Sequence, residues 1–198
     1  MCGGYVYDVR GGEGIVLSKG ILIKKRSRNG VIIQNYGGRY ALNGKKAQIW
    51  LIARQGFIPT EKEDIRLVSE LCVEGLMLET DIPNSYGMYF LLSGHVLGVR
   101  RRKGLRFPLF GIEKEIVRWY QNGKRSLRLE EVVFLIENKV NPLDYEHDEF
   151  GVALSERINP SRVQVDNRLK YEMLGAKRRD DVVDAVIRLI VKNRMYLV

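Results

Sequence analysis

The chain has 198 residues, with 33 Lys plus Arg against 24 Asp plus Glu, a formal net charge of +9. With 45% apolar and 29% charged residues it has an ordinary globular balance, which argues against wholesale disorder. No apolar run reaches the roughly 18 residues of a membrane span, the start MCGGYVYDVR lacks a secretory pattern, and two cysteines cannot make a disulfide framework, so a cytoplasmic protein is expected.

Residues 1–19 read as an N-terminal strand and turn segment that includes Gly11-Gly12-Glu13-Gly14. That glycine run precedes its apolar strand, whereas a phosphate loop needs strand, loop, then helix, so it reads as a turn. Removal of Met1 would expose Cys2 as an N-terminal nucleophile, a start resembling class II glutamine amidotransferases, but the downstream motifs of that chemistry are missing.

Sliding the chain by 67 positions aligns residues 20–76 with 87–143, with glycine matched at Gly20/Gly87, Gly37/Gly104, Gly44/Gly111 and Gly56/Gly123. The pattern predicts an α+β duplication in which each copy is a three-stranded meander followed by two helices. In copy one, residues 20–80, the strands are expected at 20–25, 31–34 and 39–42, with Asn29-Gly30 as a hairpin turn. A helix over 44–55 follows, capped by Asn43, ended by Gly56 and burying Ile49, Ile52 and Ala53. A second, over 61–74, has Thr60 as cap, Glu63 in its first turn, and Ile65, Val68, Leu71 and Cys72 on its buried face. Gly75 ends it, and 76–78 form a short strand.

Copy two, residues 87–143, is expected to repeat this order, with strands at 87–92, 96–102 and 105–109. Ile112, Ile116, Trp119 and Tyr120 line its first helix, and Leu129, Val132, Val133 and Ile136 its second. Residues 144–167, opening with the acidic DYEHDE, read as a linker. The segment 168–198 is expected to hold a helix and a closing strand. Set back by 118 positions it resembles residues 64–80, with Leu189 on Leu71 and Met195 on Met77, so it reads either as a packing extension or as a truncated third copy.

A meander ahead of helices suggests a winged-helix-like unit. Tyr40, Leu42, Asn43, Ile49, Trp50 and Gly56, with the ending at Leu71, Gly75 and Leu76, resemble the PqqD-like domain family over about 60 residues of copy one. Copy two departs from that pattern, with Phe110 at the place of Asn43 and Val117 at that of Trp50. The resemblance implies a non-catalytic domain that takes up a leader peptide as an added strand beside a helix. The phrase SLRLEEVVFLIENKV is also similar to the non-catalytic N-terminal domain of archaeal tRNA-splicing endonucleases.

Catalytic signals are sparse. The two histidines, His95 and His147, are far apart in sequence, and His147 sits in an acidic stretch read as solvated linker. No CxxC or HExxH spacing occurs, so neither a metal nor a cofactor is expected and the chain reads as non-enzymatic. The strongest functional signal is basic: Lys24, Lys25, Arg26 and Arg28 at one hairpin, Arg100, Arg101, Arg102, Lys103 and Arg106 around another, Lys124, Arg125 and Arg128 between helices, and Lys177, Arg178 and Arg179 before the last helix. Such clusters reach phosphates and give affinity without sequence information. The expectation is nucleic-acid binding, to duplex DNA in a transcriptional regulator, with a peptide or protein partner as the alternative.

Overall fold

A computed structural model describes residues 14–26, 30–35, 37–100, 109, 111–122, 127–140 and 167–197. These form an α+β structure with seven α-helices and antiparallel sheets among the described residues. No described helix is long and apolar enough to cross a membrane.

The N-terminal unit opens with β1 (Ile15–Ser18), then the meander β2 (Ile21–Arg26), β3 (Gly30–Asn35) and β4 (Gly38–Asn43). Gly20 makes the turn into β2 at φ +91, and a Cβ there would lie 2.8 Å from the Gln34 carbonyl oxygen. Central β3 alternates, burying Val31 and Ile33 while Ile32 and Gln34 face outward, the period-two pattern of a sheet covered on one side. Helix α1 (Gly44–Ile52) continues through a 3₁₀ turn at Ala53–Gln55, and α2 (Lys62–Val73) leads to β5 (Met77–Thr80), which pairs with β1.

Several expectations need correction here. Asn43 stands at the N-cap of α1 but makes no side-chain cap hydrogen bond. The cap of α2 is Glu61, not Thr60. Ile52 is 47% exposed, because buried Ala47, Ile49, Trp50 and Ala53 set the inner face one position away from it. Of the residues expected to be buried on α2, Val68 and Leu71 are, while Ile65 and Cys72 are half-buried.

The C-terminal unit does not begin as a meander. Residues 87–92, expected as a strand, lie in α3 (Ser85–Ser93). The Asn84 side chain accepts from the Tyr86 and Gly87 N–H groups and starts that helix. Met88, Tyr89, Leu91 and Leu92 are all buried, and a helix apolar on nearly every side has no periodicity to separate it from a buried strand. Gly87 serves close packing rather than a turn, since a Cβ there would run into the Ile82 carbonyl oxygen.

After α3 come β6 (Val96–Val99), α4 (Gly111–Asn122), β7 (Leu127–Arg128) and α5 (Leu129–Glu137). The expected second strand therefore ends at Val99 rather than running on through Arg100. Of the expected third strand only Leu109 is described, and it is not in a strand. Most of the expected linker lies outside the described residues. The chain resumes in α6 (Asn167–Glu172), followed by a 3₁₀ turn at Met173–Gly175, α7 (Arg179–Val191) and β8 (Met195–Leu197). The second core is as expected, with Ile116, Trp119, Leu129, Val132, Val133 and Ile136 buried in one cluster with α7.

The backbone reveals an equivalence that no single offset captures. β1 pairs with β5 as Ser18↔Met77, Leu17↔Leu78 and Val16↔Glu79, while β6 pairs with β8 as Val99↔Met195, Gly98↔Tyr196 and Leu97↔Leu197. The two registers are identical when β1 is advanced by 81 residues and β5 by 118. The other edge of each central strand matches as well: Val16 bridges Phe57 just before α2, and Leu97 pairs with Leu127 just before α5. Lys19 N–H donates to Leu76 O, and Arg100 N–H donates to Arg194 O, both at 2.8 Å.

Helices α2 and α7 also end alike. Gly75 N–H donates to Cys72 O and Leu76 N–H to Leu71 O, while Asn193 N–H donates to Ile190 O and Arg194 N–H to Leu189 O. These are Schellman ends, closed by left-handed residues at φ +70 (Gly75) and +54 (Asn193). α5 closes in the same manner at Lys139, φ +53. The 67-residue offset holds for the helix starts: α1 and α4 each open on a left-handed glycine, Gly44 and Gly111, and α2 and α5 open at Lys62 and Leu129.

The units meet along a polar seam. The Arg54 guanidinium donates to Ile190 O at the end of α7 and to Asn193 Oδ1. Asn193 Nδ2 and Arg100 Nη1 both donate to Leu22 O, at 3.0 and 2.8 Å, and Gly20 N–H donates to Leu197 O. Leu22 borders a bulge in β2, so the seam ties the meander to the C-terminal unit at that irregularity.

Candidate nucleic-acid interface

The expected basic residues fall into three groups. Arg28, Arg101, Arg102, Lys103, Arg106, Lys124 and Arg125 lie outside the described residues. A second group serves the fold. Arg179 is buried, its guanidinium bonded to Asp180 at 2.8 Å and to Leu174 O and stacked 4.1 Å over the Tyr86 ring. Arg100 is half-buried in the seam, its guanidinium committed to Leu22 O. Arg128 opens α5, its N–H bonded to Glu131 Oε2 at 2.6 Å and its guanidinium 4.0 Å from Glu130.

The third group lies on β2 and at the start of α7. Lys24 and Lys25 are exposed on β2, an edge strand, with Arg26 next in the same strand. Lys177 is exposed at the start of α7. Arg178 lies beside it, 3.8 Å from Asp181, on the rim of a concavity of about 370 Å³ over Trp119, Leu135 and Ile136. Arg118 and Lys139 share that rim with Glu115.

Sequence reasoning missed Arg39, and a signal for it was available. Between residues 14 and 60 the chain has no Asp or Glu, but it has Lys19, Lys24, Lys25, Arg26, Arg28, Arg39, Lys45, Lys46 and Arg54. The fold sorts these charges. Lys45 is ringed by Glu61, Glu63 and Asp64 at 2.9–3.1 Å, and Lys46 by Glu70 and Glu74 at 2.9 and 3.1 Å. Those carboxylates hold both lysines in the charged form, raising their pKa values. Arg54 is buried in the seam, where desolvation first and the nearby Arg100 charge second lower its pKa to about 10.

The meander keeps its charge without internal acids. Lys24 pairs in register with Ile32, Ile32 with Ala41, and Gln34 with Arg39. Residues opposite one another project to the same side of a sheet, so Lys24 and Arg39 share the outer face with Ile32, Gln34 and Ala41. Two strand spacings across and two residues along separate their Cα atoms by about 12 Å. The result is a polar, basic platform free of its own carboxylates, backed by buried Val31, Ile33 and Leu42.

Glu130 and His95 are shifted titratable groups elsewhere in the fold. Glu130, in the first turn of α5, is buried with Oε2 lacking a hydrogen-bond partner among the described residues. Burial is the main cause that lifts its pKa to about 7, helped by the charge of Glu131 and opposed by Arg128 and Lys170. His95 is half-buried with Nδ1 2.9 Å from Leu91 O, and burial lowers its pKa. His147 lies outside the described residues.

No family model matches this chain, and no curated protein or solved structure matches it either.

Proposed function

We propose that this is a non-enzymatic nucleic-acid-binding protein that takes duplex DNA through the basic outer face of the β2–β4 meander, as a cytoplasmic transcriptional regulator would. The observation that carries this reading is the separation of charge within the acid-free stretch: the helix lysines are neutralised by α2, while Lys24 and Arg39 stay exposed on the outer face of the sheet. Cations about 12 Å apart on a flat face suit phosphates on either side of a groove roughly 12 Å wide. A meander followed by α1 and α2 accords with the winged-helix-like, PqqD-like reading of this unit, and Lys177 and Arg178 offer further contacts at the start of α7.

A second reading rests on β4. It is the outer strand of its sheet, and among the described residues nothing pairs with its far edge. A peptide could join there as a fourth strand. Fluorescence anisotropy with labelled duplex DNA, single-stranded DNA, duplex RNA and extended peptides, from low to moderate salt, separates the two. Duplex DNA binding that weakens linearly on a log–log salt plot supports the first reading. Salt-insensitive peptide binding with no nucleic-acid affinity at low salt replaces it with the second.

A further inference from the structure

The offsets that relate the two units also relate two ion-pair clusters, with every sign reversed. In the N-terminal unit Lys46 on α1 holds Glu70 and Glu74 on α2. In the C-terminal unit Glu113 on α4 holds Arg188 at 3.1 Å and Lys192 at 2.8 Å on α7. Lys46 advanced by 67 is Glu113, as Gly44 advanced by 67 is Gly111; Glu70 and Glu74 advanced by 118 are Arg188 and Lys192, as β5 advanced by 118 is β8.

We infer that these reversed clusters are a charge key: α1 is built to accept an acidic helix, α4 to accept a basic one, and the key keeps each helix–strand arm on its own unit. The ambiguity it resolves is real. Because the registers of β1 with β5 and of β6 with β8 are the same, the α7–β8 arm matches the hydrogen-bonding positions of β1 as well as those of β6. The two arms also close through the same Schellman bonds. Backbone geometry therefore does not distinguish right from wrong docking.

Sequence distance adds to the problem. α1 and α2 are near neighbours, whereas α4 and α7 are separated by α5, α6 and the stretch 141–166. α7 also packs against the turn that continues α1, where Arg54 meets Ile190 O. On the wrong unit, Arg188 and Lys192 would face Lys46, with Lys45 alongside, and the displaced Glu70 and Glu74 would face Glu113. Both crossed pairings place like charges together, the form that discrimination between near-equal alternatives takes. Glu113 is the buried member of its cluster, with a side chain only 9% exposed, so a mismatch there forfeits partners that a desolvated charge requires.

The test rewrites one key in the language of the other. R188E/K192E alters only half-exposed residues and sets two acids against Glu113; its Tm should fall by about 5 °C. Adding E113K should restore most of the loss, because the charges rather than the shapes were mismatched. That triple variant now carries the same key on both units. On rapid refolding at high concentration it should show a several-fold larger fraction of non-native, associated species by size-exclusion chromatography with light scattering. Inverting the N-terminal key as well, with K46E/E70K/E74K, makes the two keys differ again and should return the yield of native monomer to the parent level. Failure of E113K to rescue the double variant, or a triple variant that refolds as cleanly as the parent, overturns the inference.

Discussion

The two units make the same backbone bonds with different side chains. The position that closes the helix before β5 is Gly75, and the matching position before β8 is Asn193, which uses its amide to join Arg54 and Leu22 across the seam. Leu17 faces Leu78 in one sheet, whereas in the other Gly98 lies under the Tyr196 ring, with room for no Cβ. Trp50 anchors the N-terminal core by donating from Nε1 to Lys19 O and Leu76 O, while the aligned C-terminal residue is Val117. Hydrogen-bond architecture persists where residue identity does not, because backbone partners constrain geometry while many side-chain sets fill a similar volume.

The largest expected contrast is at that anchor. Trp50→Ala should cost about 3–5 kcal/mol in denaturant unfolding, since the side chain is fully buried and two carbonyls lose a partner. Val117→Ala should cost no more than about 2 kcal/mol. Equal losses would mean that the anchoring is shared between the units rather than concentrated at Trp50.

Next is the pair Glu63 and Glu130, identical in the 67-residue alignment and opposite in setting. Glu63 is exposed beside Lys45, and Glu130 is buried with its pKa raised to about 7. The unfolded chain releases the Glu130 proton near pH 4.3, while the folded chain keeps it to about 7. Stability should therefore fall as pH rises through that window, by about 3–4 kcal/mol in all. Glu130→Gln should flatten that slope and leave the protein more stable than the parent at pH 8, whereas Glu63→Gln should leave the slope in place. A parent and a Glu130→Gln variant with superimposable pH–stability curves would contradict the buried, protonated setting.

The smallest effect is at the helix ends. Lys139 holds a left-handed conformation that glycine adopts at Gly75, so Lys139→Gly should stabilise by up to about 1 kcal/mol, read as a raised denaturant midpoint. Asn193→Gly should instead destabilise, because the bonds to Arg54 and Leu22 go with the side chain. The same sign at both positions would break the distinction between a purely conformational end and one recruited to the seam.

Much of this fold was legible from residue spacing. The meander announced itself through Asn29-Gly30, Gly37 and period-two apolar positions, and α2, α4, α5 and α7 through their helical stripes. α3 was not legible, because a nearly uniform apolar run of that length fits either a strand or a buried helix. The unit-to-unit equivalence was hidden because its offsets are 67, 81 and 118 in different elements. A gapless alignment captured the first and a glimpse of the last. At the candidate interface, basic clusters alone overcounted: Arg100 and Arg179 serve packing, as only their carbonyl and carboxylate partners reveal. The absence of acids from residue 14 to 60 would have directed attention to Arg39 and the sheet.

The most direct measurement compares two pairs of cations from that same acid-free stretch. K24A/R39A removes two charges from the outer face of the meander, and K45A/K46A removes two that α2 already neutralises. Anisotropy titrations of a labelled DNA duplex across a salt series give the log–log slope for each. The meander pair should lower the magnitude of the slope by about 2, roughly 0.9 per lost phosphate contact, and weaken binding to all duplex sequences alike. The helix pair should leave the slope unchanged. A slope unaltered by K24A/R39A, or lowered equally by both pairs, would contradict the assignment of phosphate contacts to the sheet.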